Sequence, residues 1–181
     1  QSLVLFQLVI STGLIISSIT IFRQLDFITN KDLGFESENV IMLPNIRGGI
    51  GNNNDPATML ESMKSIPGVT HIGRADGVLG DNNSRNGIFA SEGNGMHLAV
   101  NFCWIDYEFI PALQLKLKEG RNFSELFASD SNALIINEAA AHQLGLKAPY
   151  AGQQITWDDG PGKTHDVTVV GVLEDFHFRS L

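Results

Sequence analysis

The stretch SLVLFQLVISTGLIISSITIF, Ser2 to Phe22, carries no charged residue. A bilayer core roughly 30 Å thick needs about 20 predominantly apolar residues in helical form. A buried helix of a soluble protein is usually shorter and shows a polar face. Here the polar side chains are Gln7, Ser11, Thr12, Ser17, Ser18 and Thr20. All are uncharged, and the hydroxyls can bond back to carbonyls of their own helix. Gln7, Ser11 and Ser18 fall near one face, a stripe suited to close packing against another membrane helix. A signal peptide would show a charged start, a shorter apolar run and a small-residue cleavage site. Gln1 opens the chain without a basic segment, and no such site lies after Phe22. Residues 1–22 therefore read as a membrane span, and the chain as a piece cut from a longer one, beginning at or inside that span.

The chain beyond the span is long enough for one compact domain or two small lobes. Net charge is -8. That balance argues against nucleic acid, since phosphate binding needs clustered Lys and Arg. The flank after the span carries Arg23, Asp26, Lys31, Asp32, Glu36 and Glu38 and is net acidic. Cytoplasmic flanks usually carry excess Lys and Arg, so the domain is expected outside the cytoplasm. The single cysteine, Cys103, lies in the apolar run AVNFCWI. It can form no internal disulfide and reads as a small buried hydrophobe.

RQLDFITNKDLGF contains no helix breaker before Gly34, so the helix is expected to run on past the span and to stop there. NVIML (Asn39–Leu43) reads as a short strand. DPATMLESMKSIPG reads as a helix, with Asp55 as cap, Pro56 in its first turn and Pro67-Gly68 as its stop. VTHIGRADGVLG reads as a strand and turn, and GIFASEGNGMHLAVNFCWI as a hairpin about Asn94-Gly95. DYEFIPALQL reads as a short helix and KLKEGRNFS as a loop. ALIINEAAAHQLGL joins a strand, Ala133 to Ile136, to a helix capped by Asn137 and stopped by Gly145. The last hairpin turns at DDGPGK. The result is an α+β domain with more strands than helices.

Four groups of residues suggest chemistry and do not sustain it. GPGKT (Gly160–Thr164) resembles the end of a phosphate-binding loop, but the glycine that motif requires five positions earlier is Trp157, and a strand comes next instead of a helix. GGIG (Gly48–Gly51) lacks the third glycine of a dinucleotide turn. EDFHF brings Glu174, Asp175 and His177 close in sequence, but on a strand only Asp175 and His177 share a face. His71, His97, His142 and His165 are scattered singly. No arrangement points to an enzyme, a metal or a cofactor.

Several segments taken together carry a resemblance. They are FQLVISTGLIISSITIFRQLDFITNKDLGFESENVIML, DYEFIPALQLKLKEGRNFS, ALIINEAAAHQLG and VTVVGVLEDFHFRSL. In this order they resemble the FtsX-like, MacB-like permeases of ABC transporters from one end of the chain to the other. The specific parts are Gly120, Arg121 and Phe123 in GRNFS, Asn137 and Glu138 in NEAA, and Asp175, Phe176 and His177 in DFHF. One departure is at APYAGQQI, where Tyr150 and Ala151 separate Pro149 from Gly152 and relatives usually show Pro-Ile-Gly.

The resemblance implies a membrane helix (1–22) and a stalk or connector (23–34), with Arg23 and Lys31 on the stalk and Gly34 as hinge. A periplasmic core (35–181) would come after it. In that core, 35–75 and 165–181 would form a βαβ porter-like lobe next to the membrane, and 76–164 a β-rich distal lobe, with the core incomplete at its C-terminal end. The resemblance also implies an inner-membrane location, contact with lipid, a cytoplasmic ABC ATPase partner reached through parts outside this chain, and a second permease half or protomer. The role would be mechanotransmission, in which ATP-driven movement of membrane helices is relayed outward and no cofactor is needed. Peptide export, lipoprotein extraction, antibiotic resistance and control of wall hydrolases all occur on this architecture, and the sequence leaves that choice open. A ligand-sensing domain of a membrane receptor is the alternative reading. It would show a long membrane-proximal helix and a pocket with convergent polar groups.

Overall fold

A computed structural model describes residues 2–31, 33–36, 38–43, 56–77, 85–91, 97–160 and 163–176. The chain divides into two compact units, residues 1–33 and 34–180.

The first unit is one helix, α1 (Ser2–Asn30), with no buried residue. Its mean hydropathy reaches 2.1, and it is long and apolar enough to cross a membrane. The hydroxyls behave as their spacing predicts. Thr12 Oγ1 donates to Leu8 O at 2.8 Å and Thr20 Oγ1 to Ile16 O at 2.9 Å, so neither leaves a polar group for lipid to solvate. The helix ends at Asn30, short of the expected stop at Gly34. Asn30 Nδ2 donates to Asp26 Oδ1 at 2.7 Å. Asn is a weak helix former because its amide can bond locally in non-helical conformations, so the helix can stop here without Gly or Pro.

The second unit is built on a six-stranded sheet. Its elements in chain order are α2 (Pro56–Lys64), β1 (Arg85–Ser91), β2 (His97–Phe102), α3 (Phe109–Ala112), β3 (Leu117–Gly120), a 3-10 turn (Ala128–Asn132), β4 (Ala133–Asn137), α4 (Glu138–Gln143), β5 (Gln154–Asp158) and β6 (Thr164–Leu173). The sheet runs β2-β1-β5-β6-β3, and β4 also pairs with β6. All pairings are antiparallel except β4 with β6. Thr168 faces Gln154 of β5 and Ala133 of β4, so β6 changes partners midway. It is the strand that joins the β1-β2-β5 side to β3 and β4. The lobe boundary expected at 164/165 falls on its first residues.

Two apolar clusters match this division of β6. The larger holds Phe89, Ile136, Ala141, Leu144, Leu146, Ile155, Val167, Val169 and Val172, with α4 packed on the sheet. The smaller holds Ile110, Leu115 and Leu173, with Phe35, Ile105, Phe109, Leu113, Ile135 and Phe176 against it.

Three expectations are corrected. Residues 40–43 form no strand and pair with none among the described residues. Ile41 is 86% exposed, so apolar content there found no neighbour to bury it. Among the described residues of VTHIGRADGVLG, 69–77, the expected strand is reduced to one bridge, Ala75 to Ile105. Side chains occupy the ladder on either side of it: Asp106 Oδ1 accepts from Arg74 N at 3.0 Å, and Asp76 Oδ1 from Trp104 N at 2.8 Å. Such bonds compete with strand pairing. Conversely, Leu117–Gly120 of the expected loop KLKEGRNFS is strand β3. Its charged residues suit a short edge strand, which charge protects from further pairing.

Candidate functional site

The residues singled out in the sequence fall into two groups on the strands β3 and β6. The first group lies at the C-terminal end of β6, where the chain also enters the domain. Asn137, last residue of β4, caps α4, and its Oδ1 accepts from Ala140 N at 3.1 Å. Asp175 comes from far along the chain to the same helix end. Its Oδ1 accepts from Ala139 N at 2.8 Å and from Asn137 Nδ2 at 3.0 Å. Two carboxamide or carboxylate oxygens thus satisfy successive free N–H groups of the first turn. Glu138 forms an ion pair with Lys118 on β3, which raises the Lys118 pKa. Gly34 sits directly against Asp175 and Phe176. It has φ +78°, and a Cβ there would lie 2.8 Å from Asp175 O and 2.9 Å from Phe176 Cα. Only glycine fits that conformation and that space. Phe176 packs in the smaller core cluster beside Phe35.

The second group begins at the end of β3. Gly120 (φ +75°) faces Gly171, and a Cβ would meet Val170 O at 2.2 Å. The strand can turn away from β6 only there, and Arg121 N then donates to Val170 O at 2.9 Å. Arg121 grips Asp130 with both guanidinium nitrogens, at 2.7 and 2.6 Å, and its guanidinium lies 4.2 Å from the Phe127 ring centroid. Ser124 N donates to Asp130 Oδ2 at 2.9 Å. The guanidinium, helped by the Ser124 amide, holds the Asp130 carboxyl below the usual carboxylate range against the opposite push of burial. Asn122 Nδ2 donates to Tyr107 O at 2.7 Å, and its Oδ1 accepts from Phe123 N at 2.8 Å. GRNFS is therefore a clasp that closes the 121–130 loop on itself and ties it to the α3 segment.

Arg23 and Lys31 belong to the other unit. Lys31 Nζ stands 5.1 Å from the Phe27 ring centroid. His177 lies outside the described residues. Sequence reasoning missed Asp130, Lys118 and Val170. Asp130 is half of a bidentate pair, and no local period links it to Arg121. Within GPGKT, Pro161 and Gly162 lie outside the described residues; on either side of them Asp159 N donates to Lys163 O at 2.9 Å, and Thr164 begins strand β6 where a phosphate-binding loop would open a helix. Among the described residues no group of three or more His, Cys, Asp or Glu converges as metal ligands would. A cleft of about 180 Å³ is lined by Lys64, Val69, Thr70, His71, Ile72, Tyr107 and Glu108. Small-molecule sites usually run from about 300 to 1,000 Å³.

The family model for the MacB-like periplasmic core domain matches residues 2–180. The chain belongs to that family. Comparison with curated proteins gives no match. Among solved structures it is similar to a domain assigned to a permease protein from Porphyromonas gingivalis, with a TM-score of 0.47 and 19% identity over 65% of this chain and 48% of that one. It is similar too to the extracellular domain of the noncanonical ABC-type transporter YknZ from Gram-positive bacteria, with a TM-score of 0.47 and 18% identity over 67% of this chain and 60% of that one. The present chain thus spans 48% and 60% of the length of those two chains.

Proposed function

We propose that this chain is the extracytoplasmic part of an ABC-type permease subunit, carried on its own membrane helix. Residues 1–22 span the bilayer and contact lipid, 23–34 connect, and 35–181 stand outside the cytoplasmic membrane. The carrying observation is that one family match covers both the apolar helix and the sheet domain. The role is mechanical: movement of α1, driven by a cytoplasmic ATPase on other parts of the full protein, reaches the domain and there promotes export or release of a substrate. A second permease half or protomer supplies the opposing surface.

Two observations support this role. A helix with 29 residues and none buried has a lipid-facing or helix-facing surface on every side. Gly34, the first residue of the domain unit, packs against the C-terminal end of β6, so chain movement would arrive at an ordered place. The membrane-proximal lobe (35–75 with 165–181) and the distal lobe (76–164) would meet at the smaller core cluster, which joins Phe35 and Phe176 to Ile110 and Leu115.

The test is purification of the full-length protein from native membranes in mild detergent, with mass spectrometry of what accompanies it. A stoichiometric ABC ATPase is the expected result. A kinase or other signalling module on the same chain, with no ATPase, would overturn the proposal in favour of a receptor.

A further inference from the structure

Gly34, the first residue of the sheet-domain unit, is closely packed. A glycine used as a swivel needs open space around it, and Gly34 has none. A single added carbon would lie under 3.0 Å from Asp175 O and from two atoms of Phe176. The backbone on both sides of this contact is tied down. Glu36 N donates to Leu113 O at 3.0 Å, and Glu174 N donates to Lys116 O at 2.9 Å. The side chain of Asp175 points the other way, onto the first turn of α4, where it accepts from Ala139 N and Asn137 Nδ2. Asn137 in turn is the last residue of β4, paired with Leu173 of β6.

We infer that Gly34, Asp175 and Asn137 form a latch that makes the incoming chain, the end of β6 and the N-terminus of α4 move as one body. Gly34 is its anchor, and Asp175 is its positioning residue: one backbone face holds the incoming chain, and one carboxylate holds the helix. The space a Cβ would need at Gly34 is already filled, so the backbone there is held close against Asp175 and Phe176. The latch deepens the mechanical reading above and rests on it for its purpose, but its existence as a coupled unit is independent of any ATPase.

The test is hydrogen–deuterium exchange of the full-length protein, first without nucleotide. Asp175→Ala removes the acceptor on α4. It is expected to raise exchange about five- to tenfold at the Ala139 and Ala140 amides, and also at the Glu36 amide, which Asp175's side chain does not touch. Gly34→Ala, strained by both φ and contact, is expected to do the reverse and raise exchange at Ala139 and Ala140. Asp175→Asn keeps Oδ1 as an acceptor and should stay near the wild-type pattern, which separates latch loss from general loosening; β1, β2 and β5 peptides serve as the folded reference in every variant. Changes confined to the altered side of the latch would overturn the inference. So would a uniform rise over β1, β2 and β5, because the latch would then be no distinct unit. A second arm adds ATP and vanadate to the protein with its ATPase. Absence of any nucleotide-linked change in the wild-type domain would sink the permease reading while leaving the nucleotide-free result to decide the latch.

Discussion

Helix α1 and strand β6 are both dense in apolar residues, and they end in opposite surroundings. In α1 every described side chain is exposed within the chain, with Leu3 at 79% and Phe22 at 73%. In β6, Val169 and Val172 are fully buried, and the burial alternates before becoming continuous at Gly171–Leu173. The difference is one of partners. β6 has β5, β3, β4 and α4 to cover it, whereas α1 saturates its own backbone bonds and can leave its sides to lipid. Apolar density therefore says that water is excluded; length and period say by what.

That contrast can be broken from either side. Val169→Asp places an unpaired charge in the larger core and should cost about 3–5 kcal/mol. The domain is expected to lose its cooperative unfolding transition, while membrane integration, read by carbonate extraction, persists. Ile15→Arg should do the opposite: it adds about 3 kcal/mol to insertion at the centre of a span, releases the protein from membranes and leaves the unfolding transition in place. If either substitution produced both losses, the two units would not be independent.

A finer test lies at the strand crossing of β3 and β6. Gly120→Ala meets both a left-handed conformation and a carbonyl oxygen, and about 1–3 kcal/mol of destabilisation is expected from the backbone alone. Chemical denaturation should show it as a lower midpoint with an unchanged slope. A smaller effect is expected at the clasp. The folded-state pKa of Asp130 is depressed, so its contribution is complete above the ordinary carboxylate value of about 3.9 and is lost as pH falls through the lowered one. Asp130→Asn should lower Tm at neutral pH, and the gap to wild type should close below about pH 4. A gap that stayed constant down to pH 2 would show that the charge is not what holds the loop. The mildest readout is Cys103. Burial pushes its pKa up to about 11, so alkylation at pH 8 should run on the order of a hundredfold slower than for an exposed thiol.

Elements whose instructions are local were legible in the sequence. Pro56 opens α2 where Pro at a first turn predicts, Asn137 caps α4 by its own side chain, and β1 pairs antiparallel with β2 and β5 with β6, as the two expected hairpins require. What failed depended on distant partners. Nothing within NVIML records that no strand lies beside it, and nothing within KLKEG records that β6 does. The bonds of Asp175 to residues 137 and 139 and of Arg121 to Asp130 have no periodic signature. Gly34, Asn137 and Asp175 stand far apart in the chain, and that Asp175 meets one through its backbone and the other through its side chain is visible only in three dimensions.

The placement of β6 has a consequence for how this protein is made. Among the described strands of the sheet it comes last in chain order, yet it is the neighbour of β5, β3 and β4. Until residues 164–173 are synthesised and delivered, β3 and β4 have no strand between them, and the β1-β2 hairpin with β5 is one open sheet. Long-range pairing of this kind closes late and slowly. A growing chain would carry its apolar strand faces uncovered until then, so the order of manufacture itself imposes a waiting period in which an escort, or rapid passage across the membrane, protects them.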